Sequence, residues 1–450
     1  MESSTPGTEP SAPRSSAESE EFATEPVPYE HTVGWVRVGL ISAMVAFSLP
    51  TFVTGAEIFL AAENARALPS ILIGCGLLTV IASISGSIGT RTHLSSYMLA
   101  RVAFGTKGAA LVNIAFAISL LGWFGVNIDL FSGAILRLLR DTMDIAADPW
   151  IVELFAGAAM TITTIYGFRA INVLSTILVP VMMVVTALLF SNALDIRSFA
   201  ETLAVQQASE ISFGDAISSV VGGVIIGAVI LPDITRFIRH WRGAVYTALL
   251  SYLVVQSIVM IAGGLAADAF ESVDLLDVMI LMGLGWAAFA VIIAGSWVLN
   301  SLNLYSTTLS VEATFPKMEN RLSIVALGTL GTIAAFLNIL DHFLSFLFYL
   351  AIVFVPVAGV IAVDYFLARR SAYHEKLRAA ERSVSWIALI SWAAGAIVAL
   401  LGSESIIRLS GIAALDAMFV SALAYAILSR FDGASTQAAD DADSKGAPTC

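Results

Sequence analysis

Runs of about twenty apolar residues, separated by short polar breaks, repeat along the chain from Trp35 to Ser429. Twenty residues is the length an α-helix needs to cross a bilayer. The pattern predicts about twelve spans, near 35–62, 69–89, 108–136, 150–167, 171–193, 213–232, 244–267, 277–311, 322–340, 343–367, 384–402 and 405–429. Helices are the only reading of these runs, because an open strand cannot satisfy its backbone groups in lipid.

Two spans are interrupted. The first breaks around Phe47-Ser48-Leu49-Pro50-Thr51, where Pro50 removes an N–H and clashes with the preceding turn, and Glu57 follows the break. The sixth holds Gly222-Gly223 and Gly227 and ends at Pro232-Asp233. Matched breaks in spans one and six fit a five-plus-five inverted repeat followed by two further helices. Secondary transporters bind cargo between such broken helices. Gly222 and Gly227 also have the plainer reading of close helix packing.

Composition agrees with the membrane reading. Of 450 residues, 58% are hydrophobic and 13% charged, and mean hydropathy is +0.85. The polar loops carry fourteen cations on one side of the predicted membrane, including Arg101, Arg236 and Arg369, against five on the other, such as Arg66 and Arg197. The positive-inside rule then puts both termini in the cytoplasm of a multi-pass cell-membrane protein. The net charge of −12 resides largely in the tails and in the outer loop with Asp268, Glu271 and Asp274, so it argues for no nucleic-acid partner. Residues 1–30 are rich in Ser, Glu and Pro and read as a disordered tail. Residues 431–450 read the same way, leaving 31–430 as the transmembrane domain. The start of the chain lacks the basic flank and apolar run of a signal peptide.

Cys75 in a span and Cys450 at the end of a tail imply no disulfide, and the five scattered histidines imply no metal site. No Walker-type loop appears, so ATP is not the energy source, and no cofactor is implied.

The chemistry concentrates in the third span. Gly122-Trp123-Phe124-Gly125 precedes Asn127 and Asp129, joining an aromatic ledge, thin backbone and a carboxylate at membrane depth. A carboxylate there costs several kcal/mol unless it meets a cavity, a partner or a proton, about 2.5–3.5 being the lower estimate. In the eighth span Ser296, Asn300 and Asn303 share one helix face, with Ser301 beside them. They can line a polar path, or hydrogen-bond to a neighbouring helix.

Several segments resemble one family. Thr92-His93-Leu94, Ala100-Arg101, Phe104 to Gly108 and Gly122 to Gly125 resemble the bacterial cytosine-permease branch of the nucleobase:cation symporter-1 family. Pro232-Asp233-Ile234-Thr235-Arg236-Phe237 resembles its P-D-x-x-R-F signature, and Pro356 to Phe366 with Arg369-Arg370 fits its tenth span. The likeness runs in order from about Gly39 to Arg430. It implies an all-α, leucine-transporter-type fold, alternating access and a flat nitrogen heterocycle as cargo.

By the motif, Trp123 corresponds to the tryptophan that stacks on the cargo ring. Such stacking is worth about 0.5–1.5 kcal/mol beyond area burial. Backbone at Gly223-Val224, side chains Asn300 and Ser301, and Asn127 are the companion binding groups. The sequence departs from the cytosine permeases at Leu120, where they carry a glutamine. It departs again at Val224, their second aromatic wall, and at Gly295, an asparagine of their eighth helix. A site without an amide to read a ring edge selects a different ring.

Sodium-coupled members place two hydroxyls in the eighth helix, and the aligned residues are Val298 and Leu299. Backbone carbonyls near Phe47 alone would make a thin shell for a hard cation. A proton is the natural substitute, with Asp129 or Glu57 as carrier, since burial moves carboxylate titration toward neutrality. The expectation is a proton-coupled importer of a nucleobase or related heterocycle, with the lipid bilayer its surroundings and no obligate protein partner. Alternatives are a sodium-coupled hydantoin, allantoin or vitamin-precursor transporter and a membrane sensor. A membrane enzyme would need a nucleophile–base pair or metal cluster, and neither accompanies the two carboxylates. Asp233 and Arg236, three residues apart, read as a loop-anchoring pair or cap.

Overall fold

The computed structural model describes residues 26–445, apart from 167, 205–208, 273, 284, 316–317, 338, 374–381, 405 and 408. Side chains at 141–142, 166–179, 275, 286–295, 298, 309, 313, 320, 339–340, 371–372 and beyond 431 also lie outside the description.

The predicted break in the first span is a bend of 53° between α1 (Trp35–Ala46) and α2 (Leu49–Ala61). Ser48 is extended, with φ −81° and ψ 152°, and Pro50 enters α2 in its first turn, where its missing N–H costs nothing. Next come α3 (Asn64–Thr92), the short α4 (Ser96–Phe104) and α5 (Thr106–Met143). At 38 residues α5 is about 57 Å long, nearly twice the bilayer core, so its end projects beyond it. There Arg137 pairs with Asp274 at 2.7 Å and with Asp277.

The chain continues through α6 (Pro149–Tyr166), α7 (Phe168–Ile196) and α8 (Phe199–Ala204) to the sixth span. This is α9 (Phe213–Val229) followed by α10 (Pro232–Thr235). Its break falls at Val224, whose φ −136° and ψ 16° are non-helical, directly after Gly222-Gly223. The seventh span is α11 (Trp241–Ala248), a π-helical stretch at Leu249–Val255, and α12 (Gln256–Phe270). Then follow α13 (Leu275–Leu281), α14 (Gly285–Thr314), α15 (Asn320–Ala335), α16 (Phe343–Val363), α17 (Trp386–Ser403) and α18 (Ala413–Lys445). The last helix passes the Arg430 boundary expected for the domain, and the expected leading tail falls mostly outside the described residues.

Among the described residues seven helices are long and apolar enough to cross a membrane, and the bent α1–α2 pair makes an eighth span. Shorter apolar helices at 149–165, 180–196 and 321–335, with the 30-residue α14, fill the remaining predicted positions.

Glycine approaches sort the helices into two groups. In one, Gly55 meets the Met260 backbone, Gly263 meets Phe52, Gly74 meets Val220 and Gly89 meets Pro232, binding α2, α3, α9–α10 and α12. In the other, Gly125 meets Ala334, Gly157 meets Thr332 and Gly328 meets Thr161, binding α5, α6 and α15. Phe124, Ile128, Met160, Leu304 and Leu327 bring α14 into that second group and form its core. Without a hydrophobic drive between helices in lipid, such backbone approach supplies much of the association.

The face where α1 begins, called lower, carries a seam made by the residues just before α1. Val27, 3% exposed, donates its N–H to His93 O at 3.1 Å, and Val33 donates to Phe237 O at 2.6 Å. His93 ends α3 in the left-handed region at φ 56°, and its Nδ1 lies 2.7 Å from Arg236 O. Thus part of the segment expected to be a free tail, from Val27 onward, is packed.

Candidate functional site

Trp123 lies at mid-length of α5 and is 8% exposed. The first turn of α16 covers it. Phe343 and Phe346 meet its indole edge-on, with centroids 6.0 and 5.5 Å away. Gly122 permits this, since a Cβ there would lie 3.0 Å from the Phe346 ring.

The same turn reaches the sixth-span break. A Cβ on Gly222 would run into the Leu347 carbonyl, so this glycine serves close packing, the plainer of its two readings. Gly223 has room: a Cβ there would have Leu347 Cδ1 at 3.8 Å and Thr54 Oγ1 at 3.7 Å. Thr54 lies one turn into α2, past the first-span break, with its hydroxyl on Pro50 O at 2.8 Å. Trp123 and the Gly222–Val224 break therefore both meet one lid, residues 343–347, and α2 reaches that break through Thr54.

The other expected residues are placed variously. Leu120, 6% exposed, packs in the same core one turn below Trp123. Asn127 is fully buried, donates Nδ2 to Trp123 O at 2.7 Å, and leaves Oδ1 without a partner among the described residues. Asn300 faces the second helix group instead. Its Nδ2 donates to Phe124 O at 3.0 Å and lies 3.2 Å from Met160 Sδ, and its Oδ1 is unpartnered among the described residues. Ser301 donates to Trp297 O at 3.0 Å, and Trp297 Nε1 donates to Thr163 Oγ1 at 3.1 Å. Asn300 thus ties α14 to α5 and α6, and Ser301, whose hydroxyl lies 3.5 Å from Thr163 Oγ1, faces α6, both away from the Trp123 ring. Ser296, one turn earlier, has a buried hydroxyl with no partner among the described residues. The side chain of Val298 lies outside the described residues.

Phe47 caps α1, donating its N–H to Met44 O. Glu57 is half-buried on the upper side within electrostatic range of Glu210, whose N–H is bonded to Ala61 O at 2.8 Å. Asp129, also half-buried, is within range of Glu153 on α6 and Asp341 before α16. No ion pair to Asp129 occurs among the described residues. Asp233 is the cap foreseen as one reading of its motif: Oδ1 accepts Ser96 N at 2.7 Å and Ser96 Oγ at 2.8 Å. An apolar cavity bordered by Ile84, Ile88, Leu99, Phe116 and Val229 lies about two turns below Trp123. It is distinct from the Trp123 site.

Phe343 and Phe346 escaped the sequence reading because they sit in an uninterrupted apolar run. Their one advance signal is Gly122, against which Phe346 packs.

The profile of the family described as permeases for cytosine/purines, uracil, thiamine and allantoin matches residues 28–428. The chain belongs to this family. Cytosine permease of Escherichia coli strain K12 is 29% identical over 419 residues, covering 93% of this chain and 96% of that protein. Hydantoin permease of Microbacterium maritypicum is 23% identical over 435 residues, covering 89% and 85%. The inward-facing conformation of Mhp1 superposes with a TM-score of 0.79 at 19% identity, covering 91% of this chain and 93% of that one. That likeness places the permease in the leucine-transporter-type fold with broken first and sixth helices. The protein is a multi-pass membrane permease, and the enzyme reading falls away.

Proposed function

We propose that this permease imports a nucleobase or related nitrogen heterocycle, coupled to protons rather than to sodium, with its lower face in the cytoplasm. The observation that carries this reading is that Trp123 and the sixth-span break both lie against the lid of α16, with Thr54 of the first broken span beside Gly223. A flat heterocycle stacks on the indole, and its polar edge finds backbone groups freed at Gly223-Val224. The acceptor of Asn127, unpartnered among the described residues and one turn above Trp123, is the remaining polar candidate, whereas Asn300 and Ser301 face away from the Trp123 ring. Unpaired buried acceptors cost energy unless a ligand or water fills them, which favours a donor-bearing cargo. Leu120 removes one amide from this set and argues for a ring other than cytosine.

Proton coupling is supported by the half-buried Asp129, which has carboxylates rather than cations as neighbours. Leu299 supplies no hydroxyl for sodium, leaving chiefly carbonyls near Phe47. Glu57 is the second carrier candidate. Reconstituted permease should accumulate at least one member of a panel of pyrimidines, purines and hydantoins above empty vesicles when the lumen is alkaline. Uptake that ignores a pH gradient and follows a sodium gradient would overturn the coupling, and no uptake of any panel member would overturn the cargo.

A further inference from the structure

Two motifs, Pro232–Phe237 and Asp364–Arg370, contribute nothing to the ring site, yet both end on the same element. The nine-residue α4 lies at the lower face between α3 and α5. Its first turn is held by Asp233 of α10, which accepts from the N–H and hydroxyl of Ser96. Its last turn is held by Arg369, whose Nη2 donates to Val102 O at 3.1 Å and Ala103 O at 3.4 Å. Those carbonyls belong to the helix-end groups that lack an intrahelical donor, and a cation there also suits the helix dipole.

Arg369 is in turn fixed to the foot of the tenth span. Its Nε and Nη2 donate to the two oxygens of Asp364 at 2.8 and 3.0 Å. Asp364 is wholly buried and also accepts from Tyr373 at 2.6 Å and from Tyr425 of α18 at 2.7 Å. Ser385 adds a backbone bond to Phe104 O at 2.8 Å.

We infer that α4 is a strut and that Asp233 and Arg369 are positioning residues, tying the lower half of the broken sixth span to the foot of α16. The head of α16 is the lid over Trp123. A displacement of α10 is therefore carried through α4 to a helix whose other end, about 30 Å away, closes the site. This gives both motifs a role in the transport cycle without contact to cargo, and it requires no identified substrate.

The test reads the lid while altering the strut. Ser219 is 3% exposed, and its hydroxyl lies 3.4 Å from Leu344 O, under the lid. With Cys450→Ser removing the tail thiol and Cys75 fully buried, Ser219→Cys supplies a single reactive reporter for maleimide in detergent-purified protein. Asp233→Ala should raise its labelling rate about fivefold, the equilibrium factor of one lost helix cap. Asp233→Asn, which keeps the accepting oxygen, should stay near the parent. Arg369→Lys retains charge but not the forked geometry, and should also raise labelling. The double variant should label no faster than the faster single one, because a strut released at either end transmits nothing. Should Asp233→Ala not fold, Ser96→Ala removes one of the same two bonds and should move the reporter in the same direction by less. Gly222→Ala, which displaces the lid directly, sets the scale. Labelling that responds to Gly222→Ala but not to the strut variants, or effects of Asp233→Ala and Arg369→Lys that multiply, would overturn the inference.

Discussion

Gly222 and Gly223 are chemically identical neighbours for which the structure predicts opposite consequences. A methyl on Gly222 points into the Leu347 carbonyl, a backbone atom that no rotamer change can move. The sixth span and the lid must separate to admit it. Overpacking of this kind costs about 1–3 kcal/mol, levied on the lid-closed arrangement alone. By the relation of about 1.4 kcal/mol per tenfold, that shifts the closed-to-open ratio roughly 5- to 150-fold. A methyl on Gly223 meets nothing nearer than 3.7 Å. There the helix preference of alanine over glycine, up to about 1 kcal/mol, is the main effect. The comparison is made by maleimide labelling of Ser219→Cys, with initial rates of cargo exchange measured on the same proteins. Gly222→Ala should label faster and exchange more slowly, and Gly223→Ala should resemble the parent in both. Equal effects of the two substitutions, or a larger effect at Gly223, would refute the placement of the lid against the break.

The stacking role assigned to Trp123 predicts that Trp123→Ala weakens cargo binding by at least about 2- to 12-fold, the range equivalent to the aromatic increment alone, while Trp123→Phe retains part of it; competition uptake measures both. Leu120→Gln should improve competition by cytosine relative to hydantoin, because it returns an amide beside the ring slot, and unchanged ranking would remove Leu120 from the specificity set. Asp129→Asn should leave exchange of internal for external cargo intact but abolish accumulation driven by a pH gradient; a variant that still accumulates cargo would transfer the carrier role to Glu57. Asp364→Ala leaves Arg369 without its buried partner and should cost about 3–5 kcal/mol, read as loss of folded, monodisperse protein, whereas Asp364→Asn should be milder because it retains an accepting oxygen.

The breaks were legible because Pro50 and paired glycines have local, one-residue consequences. Even so, the non-helical residue is Val224 rather than either glycine. The glycines supply the close approach, and the kink falls on the next position. Asn300 shows where local reasoning stops. Its spacing sets it on one helix face with Ser296, but which neighbour that face meets depends on packing with Phe124 and Met160, and these lie in other spans. The lid was hidden for the same reason. Phe343 and Phe346 are two aromatics in an apolar run, and only Gly122 on a distant helix, with Gly222 admitting the neighbouring Leu347 backbone, makes that turn a cover. At Asp233 the motif revealed an anchor but not the anchored object, since Ser96 lies 137 residues earlier.

The seam beneath α1 also dictates an order of assembly. Val33 cannot find its partner until Phe237 has been made, about 200 residues later in synthesis. At ribosomal speeds of about 5–20 residues per second, that is a wait of roughly 10–40 s. The Val33 contact is therefore made only after the sixth span has arrived, whereas Val27 can meet His93 as soon as α3 is complete. Val33→Pro, which removes the donor, should leave early insertion untouched and disturb only this late closing step.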